Sequence, residues 1–151
     1  MSKINLEELA GFLVRAKKTT YAGGGQLKYK EGNWEYEDEY DGFYFAPGRE
    51  VVKFKGERVW FMAYSGGMRP EYHDDEAFAK QTFAFLKKAL MLIEESKPYR
   101  GPERLEEGEW EYINQLEEGN ITDFLGTERI LYQGKEVFKQ HYMGGAYVYK
   151  K

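Results

Sequence analysis

Glu31-Gly32-Asn33-Trp34-Glu35-Tyr36 returns as Glu107-Gly108-Glu109-Trp110-Glu111-Tyr112, 76 residues further along the chain. The likeness runs on past this motif. Gly48, Glu50, Val52, Phe54, Gly56, Trp60, Tyr64 and Gly66 match Gly126, Glu128, Ile130, Tyr132, Gly134, Phe138, Tyr142 and Gly144 at a spacing of 78, and Tyr21-Ala22-Gly23 faces Tyr99-Arg100-Gly101 at the same interval. The step from 76 to 78 implies two extra residues in a loop of the second half. A period of this length decides the architecture. It divides the 151 residues into two pseudo-repeats, about 1–72 and 73–151, within a chain of single-domain size.

Each half reads as one helix followed by three strands. The first helix has a full start signal, with Asn5 as N-cap, Glu8 closing a capping box, and Ile4 and Leu9 placed as a hydrophobic staple. Its buried stripe is Leu9, Phe12, Leu13 and Ala16, and it is expected to stop before the β-branched Thr19-Thr20 and to exit through Gly23-Gly24-Gly25. The second opens at Asp74 or Asp75, carries Phe78, Phe85, Leu86, Ala89 and Ile93, and is expected to end at Ser96 and Pro98. Lys55-Gly56 and Gln133-Gly134 each sit between two strand-like runs, as tight hairpin turns do. Val59 to Ala63 is apolar on both phases, which predicts an interior strand covered on two sides, and Ala146 to Tyr149 is a candidate last strand. The expected fold is α+β, with internally duplicated helix-plus-three-strand units forming a mostly antiparallel sheet with two helices.

Composition narrows the function. The net charge is −4 with no basic block, which argues against direct nucleic-acid binding. The absence of cysteine excludes disulfides, thiolate metal sites and thiol nucleophiles. The longest apolar run is far below a membrane span, and Glu7 and Glu8 stand where a signal peptide would be apolar, so a soluble cytoplasmic protein without membrane contact is expected. Aromatic residues make up 17 % of the chain, 13 of them tyrosine, a residue suited to half-wet sheets and to ligand contact.

Departures between the halves mark where one of them serves something else. Trp34, Tyr36, Asp38 and Tyr40 share one face of a strand, and Asp38 is matched by Asn114 and Tyr40 by Leu116, so the carboxylate belongs to the first half alone. Glu50 falls on the apolar phase of the next strand, as Glu128 does in the second half, and Trp60 and Tyr64 share a phase on the strand after. A carboxylate on a ring-rich face needs compensation. For Glu50 and Glu128 an internal partner is expected, with Arg49, Arg58, Arg15 or a tyrosine hydroxyl as donor. For Asp38 the sequence supports a ligand pocket of Tyr36, Asp38, Tyr40, Glu50, Trp60 and Tyr64, suited to an organic cation held by ring faces and a counter-charge. The alternatives are an enzyme using Asp38 and Glu50 as an acid–base pair, or an interaction module whose Tyr-rich strand pairs with another chain. His73 and His141 read as surface residues, Ser65 has no nucleophile-elbow context, and no metal or cofactor is expected. Candidate partners are a small molecule, a second copy of the chain, or a regulator.

The runs Phe12-Leu13-Val14-Arg15-Ala16-Lys17-Lys18-Thr19-Thr20-Tyr21-Ala22-Gly23, Tyr36-Glu37-Asp38-Glu39-Tyr40-Asp41-Gly42, Gly48-Arg49-Glu50-Val51-Val52 and Gly56-Glu57-Arg58-Val59-Trp60 resemble a family of small prokaryotic domains of unknown function, found alone or C-terminal to helix-turn-helix modules in transcription regulators. The likeness spans most of the chain. It implies a sensing or effector-binding role and assigns no catalytic residues. The first helix begins at about residue 6, so no DNA-reading module is expected before it and a regulatory role would need a partner.

Overall fold

The repeated Glu-Gly-x-Trp motif is itself a turn. Gly32 and Gly108 take φ of 59° and 60°, and each closes a hairpin in which Glu31 faces Trp34 and Glu107 faces Trp110. Each half therefore has four strands where the sequence suggested three. The strand before the turn is four residues of mixed charge whose alternation is too short to register as a period. The computed structural model describes residues 3–22 and 27–151, which leaves the expected helix exit at Gly23-Gly24-Gly25 outside the described residues.

Helix α1 spans Leu6–Ala22 and is followed by β1 (Lys28–Glu31), β2 (Trp34–Tyr40), β3 (Gly48–Phe54) and β4 (Glu57–Met68). After a short 3-10 turn at Pro70–Tyr72 come α2 (Glu76–Leu90), β5 (Arg104–Glu107), β6 (Trp110–Asn120), β7 (Asp123–Tyr132) and β8 (Lys135–Ala146). All eight strands form one antiparallel sheet in the order β1-β2-β3-β4-β8-β7-β6-β5, an α+β fold. The two sets of four meet along β4 and β8, where Tyr64 lies opposite Tyr142. The Tyr-rich β2 is thus an interior strand, between β1 and β3, and not an edge open to another chain. Short, charged β1 and β5 hold the edges, a common guard against strand addition.

The sheet has one covered face. Val59, Trp60 and Met62 of β4 are sealed, yet Phe61 is 37 % exposed, so the strand is central without being covered on both sides. A slip of register between Val52 and Lys53 puts Val59 and Trp60 inward in succession. At the hairpin tips, Lys55 and Gly56 (φ 52° and 81°) and Gln133 and Gly134 (52° and 79°) take the paired positive φ expected of a two-residue turn.

The helices differ from their expected ends. α1 passes through Thr19 and Thr20, whose hydroxyls donate to the carbonyls of Arg15 (2.8 Å) and Lys17 (3.1 Å) and so remain compatible with helix. α2 stops at Leu90; Ile93 is buried beyond it in an irregular segment, and Ala146 ends β8, with Tyr149 only bridging to Ile4. The N-caps are realised. Asn5 Oδ1 accepts from the Glu8 amide at 3.0 Å, Asp75 from the Phe78 amide at 3.1 Å, and Ile4 and Leu9 join one core cluster. Asn5→Ala is expected to cost about 1 kcal/mol, read as a melting temperature lower by about 2–4 °C.

Candidate functional site

Three carboxylates rise from the covered face of the sheet: Asp38 on β2, Glu50 directly opposite it on β3, and Glu128 on β7. Glu50 and Glu128 are fully buried. The charges that compensate them are Lys17 and Arg100, not the arginines expected from sequence. Arg15 pairs with Glu31 and Arg49 with Glu39 at the surface, and Arg58 is exposed. Lys17 lies one turn beyond Leu13 on the buried stripe of α1, with Nζ 2.9 Å from Glu50 Oε1 and donating to the carbonyl of Tyr99. Burial pulls its pKa down against the opposing field of Glu50. Arg100, in the segment between α2 and β5, donates from Nε to Glu128 Oε1 at 2.7 Å and holds Nη1 3.6 Å from Glu50 Oε2. Tyr112 and Gln140 complete the shell of Glu128, at 2.5 Å and 2.9 Å. Neither oxygen of Glu50 makes a well-aligned hydrogen bond among the described residues, so its pairing is one of charge.

Two buried cations balance two buried glutamates. Asp38 is left over. Its Oδ1 accepts a 2.5 Å hydrogen bond from the Tyr64 hydroxyl, and Oδ2 has no partner among the described residues. Burial and the neighbouring Glu50 charge push its pKa up to about 6, despite the Tyr64 bond and the fields of Arg100 and Lys17. The second half shows the neutral version of this contact: Tyr142 donates to Asn114 Oδ1 at 2.7 Å, and the amide of Asn114 donates onward to the Gly101 carbonyl at 2.9 Å.

Asp38 opens into a cavity of about 310 Å³ bounded by β2, β4, β8, α2 and the segment from Asp41 to Pro47. That segment crosses the sheet because Gly67 lets it approach; a Cβ there would sit 2.0 Å from the Tyr44 carbonyl oxygen. Phe43 docks edge-on against Phe83 of α2, with ring centroids 5.3 Å apart.

Of the residues the sequence brought forward, Asp38, Tyr40 and Tyr64 line this cavity. Tyr36, Glu50 and Trp60 are buried and do not line it. Two of the rings expected for a ligand cation carry the protein's own: Lys17 Nζ lies 5.3 Å from the Trp60 ring, and Arg100 5.6 Å from that of Tyr64. Sequence reasoning missed Lys17 and Arg100, and with them Phe43, Phe83, Leu86 and Phe138 on the walls. The signal for Lys17 was its place four residues after Leu13; the signal for Arg100 was its position inside the matched Tyr99-Arg100-Gly101. His73 is half-buried, stacked on Tyr44 and bonded to the Met68 carbonyl, and His141 is exposed beside Thr127. Among the described residues no group of three or more His, Asp or Glu is placed to hold a metal ion, and no helix is long and apolar enough to cross a membrane.

The raised pKa of Asp38 has a definite sign in stability. A carboxyl titrating at about 6 when folded, against 3.8 as its ordinary value, holds its proton more tightly in the folded state. Its contribution is most favourable at low pH, declines as pH rises from about 4 to 6, and stays unfavourable above that by up to about 3 kcal/mol. Asp38→Asn removes the charge and keeps an acceptor for the Tyr64 hydroxyl, as Asn114 does for Tyr142. It is expected to raise the melting temperature by several degrees at pH 8 and to leave it nearly unchanged at pH 4, in thermal unfolding followed at both.

No curated protein and no solved structure matches this chain. One family model, described as Domain of unknown function (DUF5680), matches residues 38–147. That span opens at Asp38, within β2, and takes in Glu50, Tyr64, Arg100, Glu128, α2 and every strand from β3 to β8. With well over half its length matched, the chain belongs to the family described as Domain of unknown function (DUF5680).

Proposed function

We propose that the chain is a small-molecule binding or sensor domain whose cavity takes an organic cation at Asp38. One observation carries the reading: Asp38, which lines a largely apolar cavity, is the unbalanced carboxylate of a buried charge cluster, with one oxygen fixed by Tyr64 and the other without a partner among the described residues. A cation there completes a charge balance that Lys17 and Arg100 leave short by one. The volume, about 310 Å³, lies at the small end of ligand pockets, roughly 300–1,000 Å³.

An internal duplication of residues about 1–72 and 73–151 belongs to the same reading. It is supported by Tyr64 lying opposite Tyr142 and by the matched Tyr64–Asp38 and Tyr142–Asn114 hydrogen bonds. One copy then keeps the scaffold contact and the other is diverted to binding. The resemblance to regulator domains adds a cytoplasmic sensing role, with a separate regulator or a second copy of the chain as partner. An acid–base enzyme built on Asp38 and Glu50 is less supported, because Glu50 is sealed and held by Lys17 and Arg100.

The test is a thermal-shift screen of protonated amines at pH 8 on the native protein and on Asp38→Asn. The expected result is a concentration-dependent rise in melting temperature for the native chain and a much smaller one for the variant. A variant that folds and responds to the same amines as strongly as the native chain overturns the reading.

A further inference from the structure

The cavity has a counterpart in the other half of the molecule, and there it is filled. Phe124 lies opposite Gly144 in the β7–β8 ladder, and the Ala46 amide donates to the Gly66 carbonyl at 2.9 Å. Residues 46 and 66 precede 124 and 144 by the same 78, so Ala46 occupies in the first half the place that Phe124 occupies in the second. The Phe124 ring is buried against three others: it stacks on Tyr99 with centroids 4.1 Å apart, and meets Trp60 at 5.9 Å and Tyr142 at 6.1 Å. The counterparts of those three at the same interval are Tyr21, Phe138 and Tyr64. All three line the cavity, together with Ala46.

Resting on the reading of this cavity as a ligand site, we infer that it is a vacated ring position, and that its ligand inserts an aromatic ring where Phe124 stands in the other half, against Tyr21, Tyr64 and Phe138. The ring environment is already built, since rings in such clusters gain from offset and edge contacts as well as from burial. The substitution of alanine for phenylalanine leaves the lining without partner atoms, the condition in which apolar cavities accept benzene-sized guests. Two polar groups give the guest an orientation. Asp38 lines the cavity with only its Oδ1 bonded among the described residues, and the Tyr21 hydroxyl is buried without a hydrogen-bond partner among them. In the filled copy neither demand exists: Asn114 is satisfied by Tyr142 and Gly101. The ligand class is an arylalkylamine or a comparable ring carrying one protonated nitrogen on a short arm. Its ring addresses the Ala46 space and its N–H groups address Asp38.

The test uses three probes of similar size, benzylamine, benzyl alcohol and n-hexylamine, titrated by NMR and calorimetry at pH 8 into the native chain, Ala46→Phe and Asp38→Asn. The native protein is expected to bind benzylamine at least tenfold more tightly than n-hexylamine, and benzyl alcohol more weakly than benzylamine. Ala46→Phe is expected to melt at a higher temperature and to lose both ring probes, and Asp38→Asn to keep benzyl alcohol while losing the benzylamine advantage. Equal binding of benzylamine and n-hexylamine, or undiminished ring binding by Ala46→Phe, overturns the vacated-ring inference and leaves the cation reading standing. Equal binding of benzylamine and benzyl alcohol, both ahead of n-hexylamine, upholds the ring site and overturns the cation. Binding of none of the three overturns both. If Ala46→Phe does not fold, Ala46→Leu takes its place with the same expectations.

Discussion

Arg100→Met should lower the melting temperature by roughly 6–20 °C, from a loss of about 3–5 kcal/mol at a sensitivity of about 2–4 °C per kcal/mol. The guanidinium is almost fully buried and contacts both Glu128 and Glu50. Without it Lys17 is the sole cation against two sealed carboxylates, and Glu128 keeps only the neutral donors Tyr112 and Gln140. The damage comes from the charge left behind more than from the bond lost, which makes a second expectation separable from the first. Arg100→Met combined with Glu128→Gln removes one charge of each sign and should recover at least half of the lost stability. Denaturant unfolding of the native protein, the single variant and the double variant checks this directly. A double variant no more stable than the single one would show that Arg100 acts by packing.

Phe124→Ala should cost about 3–5 kcal/mol, the usual range for emptying a buried aromatic site. Phe124 is 2 % exposed and joins Tyr99, Trp60 and Tyr142 across the seam of the two halves. Ala46→Phe, at the matching position, should act in the opposite direction, because it fills space that already exists. Equilibrium unfolding of the two variants therefore gives shifts of opposite sign from substitutions that exchange the same pair of residues. A destabilisation by Phe124→Ala below about 1 kcal/mol would mean that the site collapses on itself. The seam would then be softer than its ring contacts suggest.

Most of the architecture was legible because it rested on local chemistry. The capping residues Asn5 and Asp75, the Lys55-Gly56 and Gln133-Gly134 turns and the inward phase of Tyr36, Asp38, Glu50 and Trp60 are all readable from spacing. The four-residue strands β1 and β5 were not, since alternation needs more length to show. The ends of the helices were misjudged where a tertiary circumstance decided them, as with the back-bonded Thr19 and Thr20. The site was half legible. Asp38 and Tyr40 emerge from comparing the halves and Tyr64 from sharing a strand phase with Trp60, whereas Lys17 and Arg100 reach Glu50 from elements distant in sequence, and no period couples a helix lysine to a strand carboxylate. Ala46 was hidden for another reason: the two-residue change of spacing falls just before it, in a stretch that carries no shared motif.

The join between β4 and β8 has a kinetic consequence. It pairs Trp60 through Met68 with Phe138 through Ala146, partners roughly 70–86 positions apart, while the other ladders link neighbours along the chain. Loops that long close late and at an entropic cost that no local contact offsets. Each half can thus assemble its hairpins early and must then wait, with β4 or β8 as a raw border twelve residues long, until the two find each other. Refolding should be slow at this final step and sensitive to protein concentration, because a border from a second molecule is as good a mate as the correct one.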